Sequence, residues 1–528
     1  MTRDATRETE VLIIGAGPTG LALALWLTRL GVRVRIVDKT REPGTTSRAL
    51  VVHARTLEHY RQIGLADAMV EQALKFAAVN LWVAGERVGR AAFGNIGAGL
   101  SPFPYMLIFP QDQQERLLID QLSKAGVVVG RSTELLGFDA KGERVAAHLK
   151  RSDGTDEICA AAYLAGCDGT HSRVREELNI GFPGGTYDHL FYVADVAASG
   201  AVINAELHVA LDEADLLGVF PMKGGERARL IGTVRESAED QQKALAWDDV
   251  SKHILERMRI NIERVNWFST YRVHHRVAEY FRSGRVFLVG DAAHIHSPVG
   301  GQGMNTGIGD AVNLAWKLAA VLQGQAQPQL LDSYEPERIA FARRLVATTD
   351  RVFTLVTRRG PIARMARLHV VPYLVPMLFN FEAVRRFMFL TVSQTVVNYR
   401  ASALSAGNAG RIHGGDRLPW VKAADSAASH GDNFSSLTTM DWQVHVYGEL
   451  APKLLEVCAK LGLMLHVFPW RQETDRAGLM RNAVYLVRPD GYVALADPDG
   501  SVAKLESYLN ERGVRLAAAR SSTPFTTH

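Results

Sequence analysis

Cysteine is nearly missing: the 528 residues hold only Cys159, Cys167 and Cys458. No two form a C-x-x-C pair and their number is odd, which excludes a disulfide framework of the secretory kind and leaves a reducing cytoplasm as the expected compartment. A surplus of charge is missing too. The 60 Lys plus Arg stand against 56 Asp plus Glu, a formal net charge of +4, too balanced for a chain whose main partner is nucleic acid. No apolar run is long enough to cross a bilayer. The most membrane-like stretch, His369 to Phe379 (HVVPYLVPMLF), is interrupted by Pro372 and Pro376 and falls short of the ~20 residues a span needs. It reads as buried helical packing or as part of a subunit contact, which allows a homodimer. The opening, MTRDATRETEVLIIGAG, is acidic and runs into a strand, whereas an export leader needs a basic start and an apolar stretch. Metal is not expected either, because His294 and His296 in H-I-H have no third ligand at suitable spacing. Internal repeats and low-complexity tracts are absent.

What is present is an α/β pattern. An apolar strand (Val11 to Ile14), a glycine turn, a helix (Leu21 to Leu30), Gly31 as a stop and a second strand (Val32 to Val37) make a βαβ unit with a parallel sheet. From about 181 to 271 the pattern changes to short β runs, Ala205 to Leu211, Leu217 to Met222 and Arg229 to Val234. Arg285 to Gly324 returns to strand, glycine loop and helix, so the first domain is discontinuous. The expected organisation is residues 1–180 plus 276–400 as a Rossmann-like domain with a helical extension over 335–400, residues 181–275 as an inserted β-rich domain, and residues 415–528 as a third, α/β domain. A Gly, Ala and Ser-rich linker over 401–415 precedes the third, and the polar tail ARSSTPFTTH is expected to fray.

The chemistry begins at Gly15-Ala-Gly17-Pro18-Thr19-Gly20, between a strand and a helix. Gly15 permits the tight turn, Gly17 lets backbone approach a pyrophosphate, and Gly20 lets the helix pack close to the strand. The helix start then offers free N–H groups to the phosphates. Asp38, which ends the second strand and precedes Lys39, is placed to accept from a ribose hydroxyl. This pattern alone does not choose between NAD and FAD. Further on, Pro298-Val-Gly300-Gly301-Gln-Gly303-Met304-Asn305 enters a helix whose apolar positions Ile308, Val312, Ala315, Leu318 and Leu322 share a face. Its start can stabilise an anionic group of a bound ligand.

Two more turns carry a resemblance. Ala165-Gly-Cys-Asp168-Gly-Thr-His-Ser172-Arg-Val-Arg175 and Arg285-Val-Phe-Leu-Val-Gly290-Asp291-Ala-Ala-His294 each follow an apolar strand. Together they resemble the paired D-G and G-D motifs of the group A flavin-dependent aromatic hydroxylases. Ser47-Arg48-Ala-Leu-Val-Val-His-Ala-Arg55-Thr-Leu-Glu58 and Pro110-Gln111-Asp-Gln-Gln-Glu115-Arg116 are similar to two further segments of that family. The resemblance implies that Arg48 lies near FAD, that Gln111 contacts it, that Asp168 sits beside FAD and the visiting nicotinamide, and that Asp291 bonds the ribityl or ribose side. Late in the chain, Leu486-Val-Arg-Pro-Asp490-Gly491-Tyr-Val resembles the C-terminal thioredoxin-like domain of phenol hydroxylase and of hydroxylases acting on aromatic polyketides; with Cys458 alone it lacks dithiol chemistry.

By that resemblance the chain is an FAD-dependent monooxygenase that uses NADPH or NADH as a transient reductant and O2 as co-substrate. There is only one G-x-G-x-x-G, so no second dinucleotide fold holds the reductant. In such enzymes hydride reduces FAD, oxygen adds at C4a, and the terminal oxygen of the resulting hydroperoxide passes to an electron-rich carbon of a phenolic or polycyclic aromatic substrate. The candidate substrate wall is Phe220, Pro221 and Met222, with His208 and Tyr271 able to reach the same face; the sequence does not identify a base. A flavin dehydrogenase or reductase without oxygen transfer, and a non-catalytic flavin-binding scaffold, are the alternatives.

Overall fold

A computed structural model describes residues 7–44, 49–211, 216–234, 245–250, 252–357, 365–423, 431–516 and 525–527. The first sheet runs in the order Arg282–Ser283, Val286–Leu288, Asp156–Gly166, Arg7–Ile14, Val34–Val37, with Val145–Lys150 and Glu134–Asp139 added antiparallel at Asp156–Gly166. Its four central strands are parallel and buried, as their unbroken apolar runs require. The register sets the function. Ile14 pairs with Val37 and with Gly166, and Gly166 pairs with Leu288. The strands therefore end side by side, and the turns that follow each emerge along one edge, the carboxyl end where open α/β sheets bind ligands. The helix Pro18–Arg29 packs against the long helix Gly303–Leu322, both largely buried.

The second sheet has eight strands, ordered His294–Ile295, Asn261–Val277, Gly184–Ser199, Arg227–Val234, Leu216–Pro221, Leu207–Leu211, Ala78–Val83 and Glu86–Ala92. All neighbours are antiparallel except Leu207–Leu211 with Ala78–Val83. The last two strands come from well before residue 181, because pairing with Leu207–Leu211 covers an edge that would otherwise be open. Alternation assigns the faces. Leu207, Phe220, Arg229, Asp195 and Trp267 are successive cross-strand partners and share one face, which turns towards Ala49, Leu50 and Val51. Tyr192, Ala194, Leu217, Val219 and Leu230 share the other, packed with Ile254, Leu255 and Met258.

A third, seven-stranded sheet makes the C-terminal thioredoxin-like domain. It differs from the sequence reading in two places. Residues 401–415 are no linker: Ala406–Gly407 pairs with Leu495–Ala496, and a Cβ on Gly407 would lie 2.3 Å from the Ala496 carbonyl oxygen. The small residues there serve close backbone approach. The tail is not wholly frayed, since Phe525–Thr527 pairs with Leu465–Val467.

The helical extension also departs from expectation. The helix Val371–Phe379 buries Phe379, whose ring centroid is 5.0 Å from that of Phe93, yet leaves Tyr373 58% and Met377 53% exposed. It is not buried helical packing, because only one side meets the rest of the chain. No helix among the described residues is long and apolar enough to cross a membrane.

Candidate active site

The turns at the strand ends touch one another. Gly15 has φ of +100°, and a Cβ there would lie 2.4 Å from the Cys167 carbonyl oxygen and 2.9 Å from the Asp168 Cα. Gly290 has φ of +66°, and its Cβ would lie 2.6 Å from Thr19 Oγ1; one on Gly307 would lie 2.3 Å from the same atom. The G-x-G-x-x-G turn, the D-G turn, the G-D turn and the start of helix Gly303–Leu322 thus meet with no room for a side chain. Three strand spacings of about 4.8 Å separate the Val37 and Leu288 ends, roughly 14 Å in all, which suits an elongated ligand.

Side chains hold these turns rigid. Asp38 Oδ2 accepts from the Ala16 N–H at 2.7 Å and Oδ1 from the Thr40 N–H at 2.8 Å, while Arg131 Nη1 stands 3.8 Å away. Lys39 beside it is exposed. Asp168 accepts from Ser172 Oγ at 2.6 Å and from the Val174 N–H, so its carboxylate caps the following helix; burial pushes its pKa up. Arg175 donates to the Ala292 and Thr170 carbonyls and so ties the D-G motif to the G-D motif. Asp310, buried, accepts from the Gly290 N–H, His294 Nε2 and Arg338 Nε. Burial opposes its ionisation, but Arg338 and His294 outweigh it and hold its pKa down. Asp291 is exposed.

The loop Pro298–Asn305 is clamped by Asn305. Its Oδ1 accepts from the His53 N–H and Thr56 Oγ1, and its Nδ2 donates to the Val51 and Gly301 carbonyls. That fills the amide's usual bonding positions, so the side chain holds the loop and only the backbone is left to face a ligand. His53 Nε2 meets the Gly300 carbonyl at 2.8 Å. Gln111 opens the helix Gln111–Lys124, its amide donates to Glu115 and its backbone N–H bonds the Ala49 carbonyl. Arg48 lies outside the described residues.

These residues fit FAD. No acid occupies the first turn of Pro18–Arg29 and no side chain caps it, which leaves its N–H groups for a phosphate. A Cβ on Gly17 or on Gly169 would meet nothing within 4 Å. Among the described residues, Arg131 Nη2, beside Asp38, and His53 Nδ1 and His296 Nε2, beside the Pro298–Asn305 loop, are buried without a partner. Each such orphan costs ~1–3 kcal/mol, a cost a bound polar group removes. A cavity of about 490 Å³ lined by His275, Arg276, Glu279 and Arg343 includes none of the glycine turns.

Of the candidate wall, Phe220 faces inward. It packs with Leu50, Val51, Phe76, Met106, Ile108 and Leu207, and Val51 lies against Gly301. Pro221 points to the opposite face by alternation, and Met222 is buried past the strand end. Tyr271 shares the inward face, whereas His208 pairs with Val219 on the other and bonds Trp82 Nε1. Sequence reading missed Arg131, His53 and the buried Arg229, which binds both oxygens of Asp195 at 2.6 and 2.8 Å. A charged residue between Ala228 and Leu230 in an apolar strand was the available signal.

Residues 8–349 match the FAD binding domain family. The chain belongs to this family. It is 36% identical over 507 residues to 6-methylpretetramide 4-monooxygenase of Streptomyces rimosus, covering 92% of this chain and 90% of that one. It is 31% identical over 510 residues to dialkyldecalin synthase of Streptomyces rugosporus, covering 94% and 98%. Among solved structures, an anhydrotetracycline hydroxylase from Streptomyces rimosus superposes with a TM-score of 0.78 at 27% identity, covering 97% of this chain and all of the other. As a group A flavoprotein hydroxylase, the chain is an FAD-dependent monooxygenase with NAD(P)H as reductant.

Acid should strip this family member of FAD. Burial lowers His53 and His296 from the ordinary 6.5 to about 4. Between those values the unfolded chain takes up protons that the native chain refuses, so the stability present above pH 6.5 is lost as pH falls towards 4. Flavin fluorescence is expected to report release within that window, and His53→Gln to move it to lower pH.

Proposed function

We propose that this monooxygenase hydroxylates a polycyclic phenol held between the Pro298–Asn305 loop and the inward face of the eight-stranded sheet. The observation that carries the reading is that face. Leu207, Val209, Leu216, Phe220, Ile231, Thr233, Trp267, Ser269 and Tyr271 all lie on it by register, and all are only partly buried. A wide, mostly apolar wall beside the glycine loops suits a flat, multi-ring substrate. The Streptomyces rimosus relative is named for action on 6-methylpretetramide.

When bound, FAD accepts hydride from NAD(P)H and activates oxygen; the chain's residues bind, orient and exclude water. Gly15, Gly17, Pro18, Thr19 and Gly20, with Asp38 and Arg131, would hold the adenosine and pyrophosphate end. The backbone of Pro298, Gly301, Gly303 and Met304 would meet the ring, steadied by Asn305. Gln111, Asp168 and Gly290 support the turns between, and Arg48 is carried by resemblance. The apolar cluster around Phe220 keeps out water that would waste the activated oxygen. Thr233, Ser269, Tyr271 and the Asp195–Arg229 pair are the polar groups on the inward face able to orient a phenolic hydroxyl.

Asp291→Ala removes a charged acceptor worth ~1.5–3 kcal/mol when hydrogen-bonded, so FAD should bind at least tenfold more weakly in equilibrium dialysis; unchanged affinity would remove Asp291 from the site. The function itself is tested under labelled dioxygen over a panel of one-ring and multi-ring phenols. One labelled oxygen atom in a multi-ring product, with substrate-stimulated NAD(P)H oxidation, is expected. Unlabelled product would contradict the proposed hydroxylation.

A further inference from the structure

The helical extension presents an apolar face that nothing in the described chain covers. Val371–Phe379 carries no charged residue, and a helix apolar all round belongs in a protein core or against lipid. Here it exposes Tyr373, Leu374, Met377 and Leu378, and its neighbours add Met365, Val370, Phe381 at 58% and Phe387 at 67%. Phe381 and Phe387 flank the next helix, Glu382–Val392, at its cap and within it. A run of exposed aromatic and aliphatic side chains this dense is unusual for a surface facing water.

Charge accompanies it. From Arg351 to Val392 the sequence holds seven arginines and one carboxylate, Glu382, an excess of six positive charges in a chain whose net charge is +4. The rest of the molecule is therefore slightly acidic, and the basic excess falls in the stretch of sequence that carries the apolar face. Arg386 and His369 are exposed beside it.

We propose that this face docks in the plane of an anionic lipid bilayer, with Tyr373, Phe381 and Phe387 in the interfacial layer and the exposed Arg386 against lipid phosphates. Basic, aromatic helices too short to span lie in the interface in this way. A second copy of the chain fits less well. A two-fold contact sets the same patch against itself, which would bring two copies of a segment with an excess of positive charge together. The inner side of the same helix meets Phe93 through Phe379, and Phe93 packs in the apolar cluster that contains Phe220. Docking would thus place the apolar cluster one helix away from the lipid. The proposal does not depend on which substrate the enzyme takes.

The test uses FAD-loaded full-length enzyme and sedimentation with vesicles, one set of pure phosphatidylcholine and one of equal parts phosphatidylcholine and phosphatidylglycerol. Binding to the mixed vesicles, weaker binding to the neutral ones and release by added salt are expected. Arg386→Ala should lower the partition coefficient about fivefold, and Phe381→Ser/Phe387→Ser a hundredfold or more, with flavin content and NAD(P)H oxidation in solution unchanged. Equal binding to both vesicle types, no binding, or variants that partition like the wild type would overturn the proposal. So would a dimer in light scattering that Phe381→Ser/Phe387→Ser converts to monomer.

Discussion

Gly15→Ala yields a protein without FAD. The new methyl would sit 2.4 Å from the Cys167 carbonyl oxygen, 2.6 Å from its carbon and 2.9 Å from the Asp168 Cα, all backbone atoms with no freedom to swing aside. The alanine would also have to hold φ near +100°, outside the region L-residues adopt. The turn must therefore lift away from the D-G loop, taking with it the Ala16 N–H that Asp38 holds and the helix start that follows. Gly20→Ala meets a similar wall, 2.0 Å from the Gly15 carbonyl oxygen. Gly17→Ala is the control, because a Cβ there meets nothing of the protein: it should fold normally and lose affinity only by crowding the ligand. Absorbance of the purified proteins near the flavin band gives the answer. Wild-type flavin content in Gly15→Ala would mean that the turn is not where the pyrophosphate lies.

Glu337→Ala should be the most damaging substitution for the fold. Glu337 accepts from both terminal nitrogens of Arg488 at 2.8 and 3.0 Å, from Lys317 Nζ at 2.9 Å, from Asn313 and from Ser402. Lys317, Glu337 and Arg488 are fully buried. Burial lowers Lys317 to about 8, and Arg488 and Lys317 together hold Glu337 well below the usual carboxylate range against the opposing effect of burial. Arg488 belongs to the C-terminal domain, and its partner Asp490 also accepts from Trp316 of the helix Gly303–Leu322, so the cluster joins the two domains at the helix that begins in the flavin loop. Nearby, Arg55 donates to the Asp490 carbonyl and Arg417 pairs with Glu58. Removing the carboxylate leaves buried Lys317 without a counter-charge and Arg488 with Asp490 alone, at a cost of ~3–5 kcal/mol, or roughly 3–5 °C in melting temperature for a chain of this size. The expected readout is a lower thermal transition together with weaker FAD retention, and a double Lys317→Met/Glu337→Met chain, which keeps the Arg488–Asp490 pair, should recover part of the loss, since apolar replacement of a buried pair is often near neutral. An unchanged transition would show that the cluster does not couple the domains.

The part of this structure that was legible beforehand is the part governed by local rules. The βαβ opening, the strand before each glycine turn and the helix after Gly303 follow from apolar runs and breakers, and the edge on which those turns meet follows from parallel strands of matched length. Pro221 was misassigned to the wall, although alternation after Phe220 sends it outward. Pairing across long separations was not legible. That Ala78–Val83 would join Leu207–Leu211, or that Ala406–Gly407 would join Leu495–Ala496 where composition suggested a linker, depends on edges that only the folded chain offers. Asn305 and Asp168 show a second limit. Their motif positions were evident, but their side chains are consumed by the loops they stabilise, and a motif does not say whether a polar group faces a ligand or its own turn. The exposed side of Val371–Phe379 was misread because an apolar helix is ordinarily a buried one.

The most direct test is a crystal structure of the holoenzyme. The pyrophosphate should lie over Gly15–Gly20, the ribose at Asp38 and Arg131, and the isoalloxazine between the Pro298–Asn305 backbone and the inward face bearing Phe220. Density for the flavin elsewhere, for example in the cavity of about 490 Å³ beside His275 and Arg343, with the glycine turns bare, would contradict it.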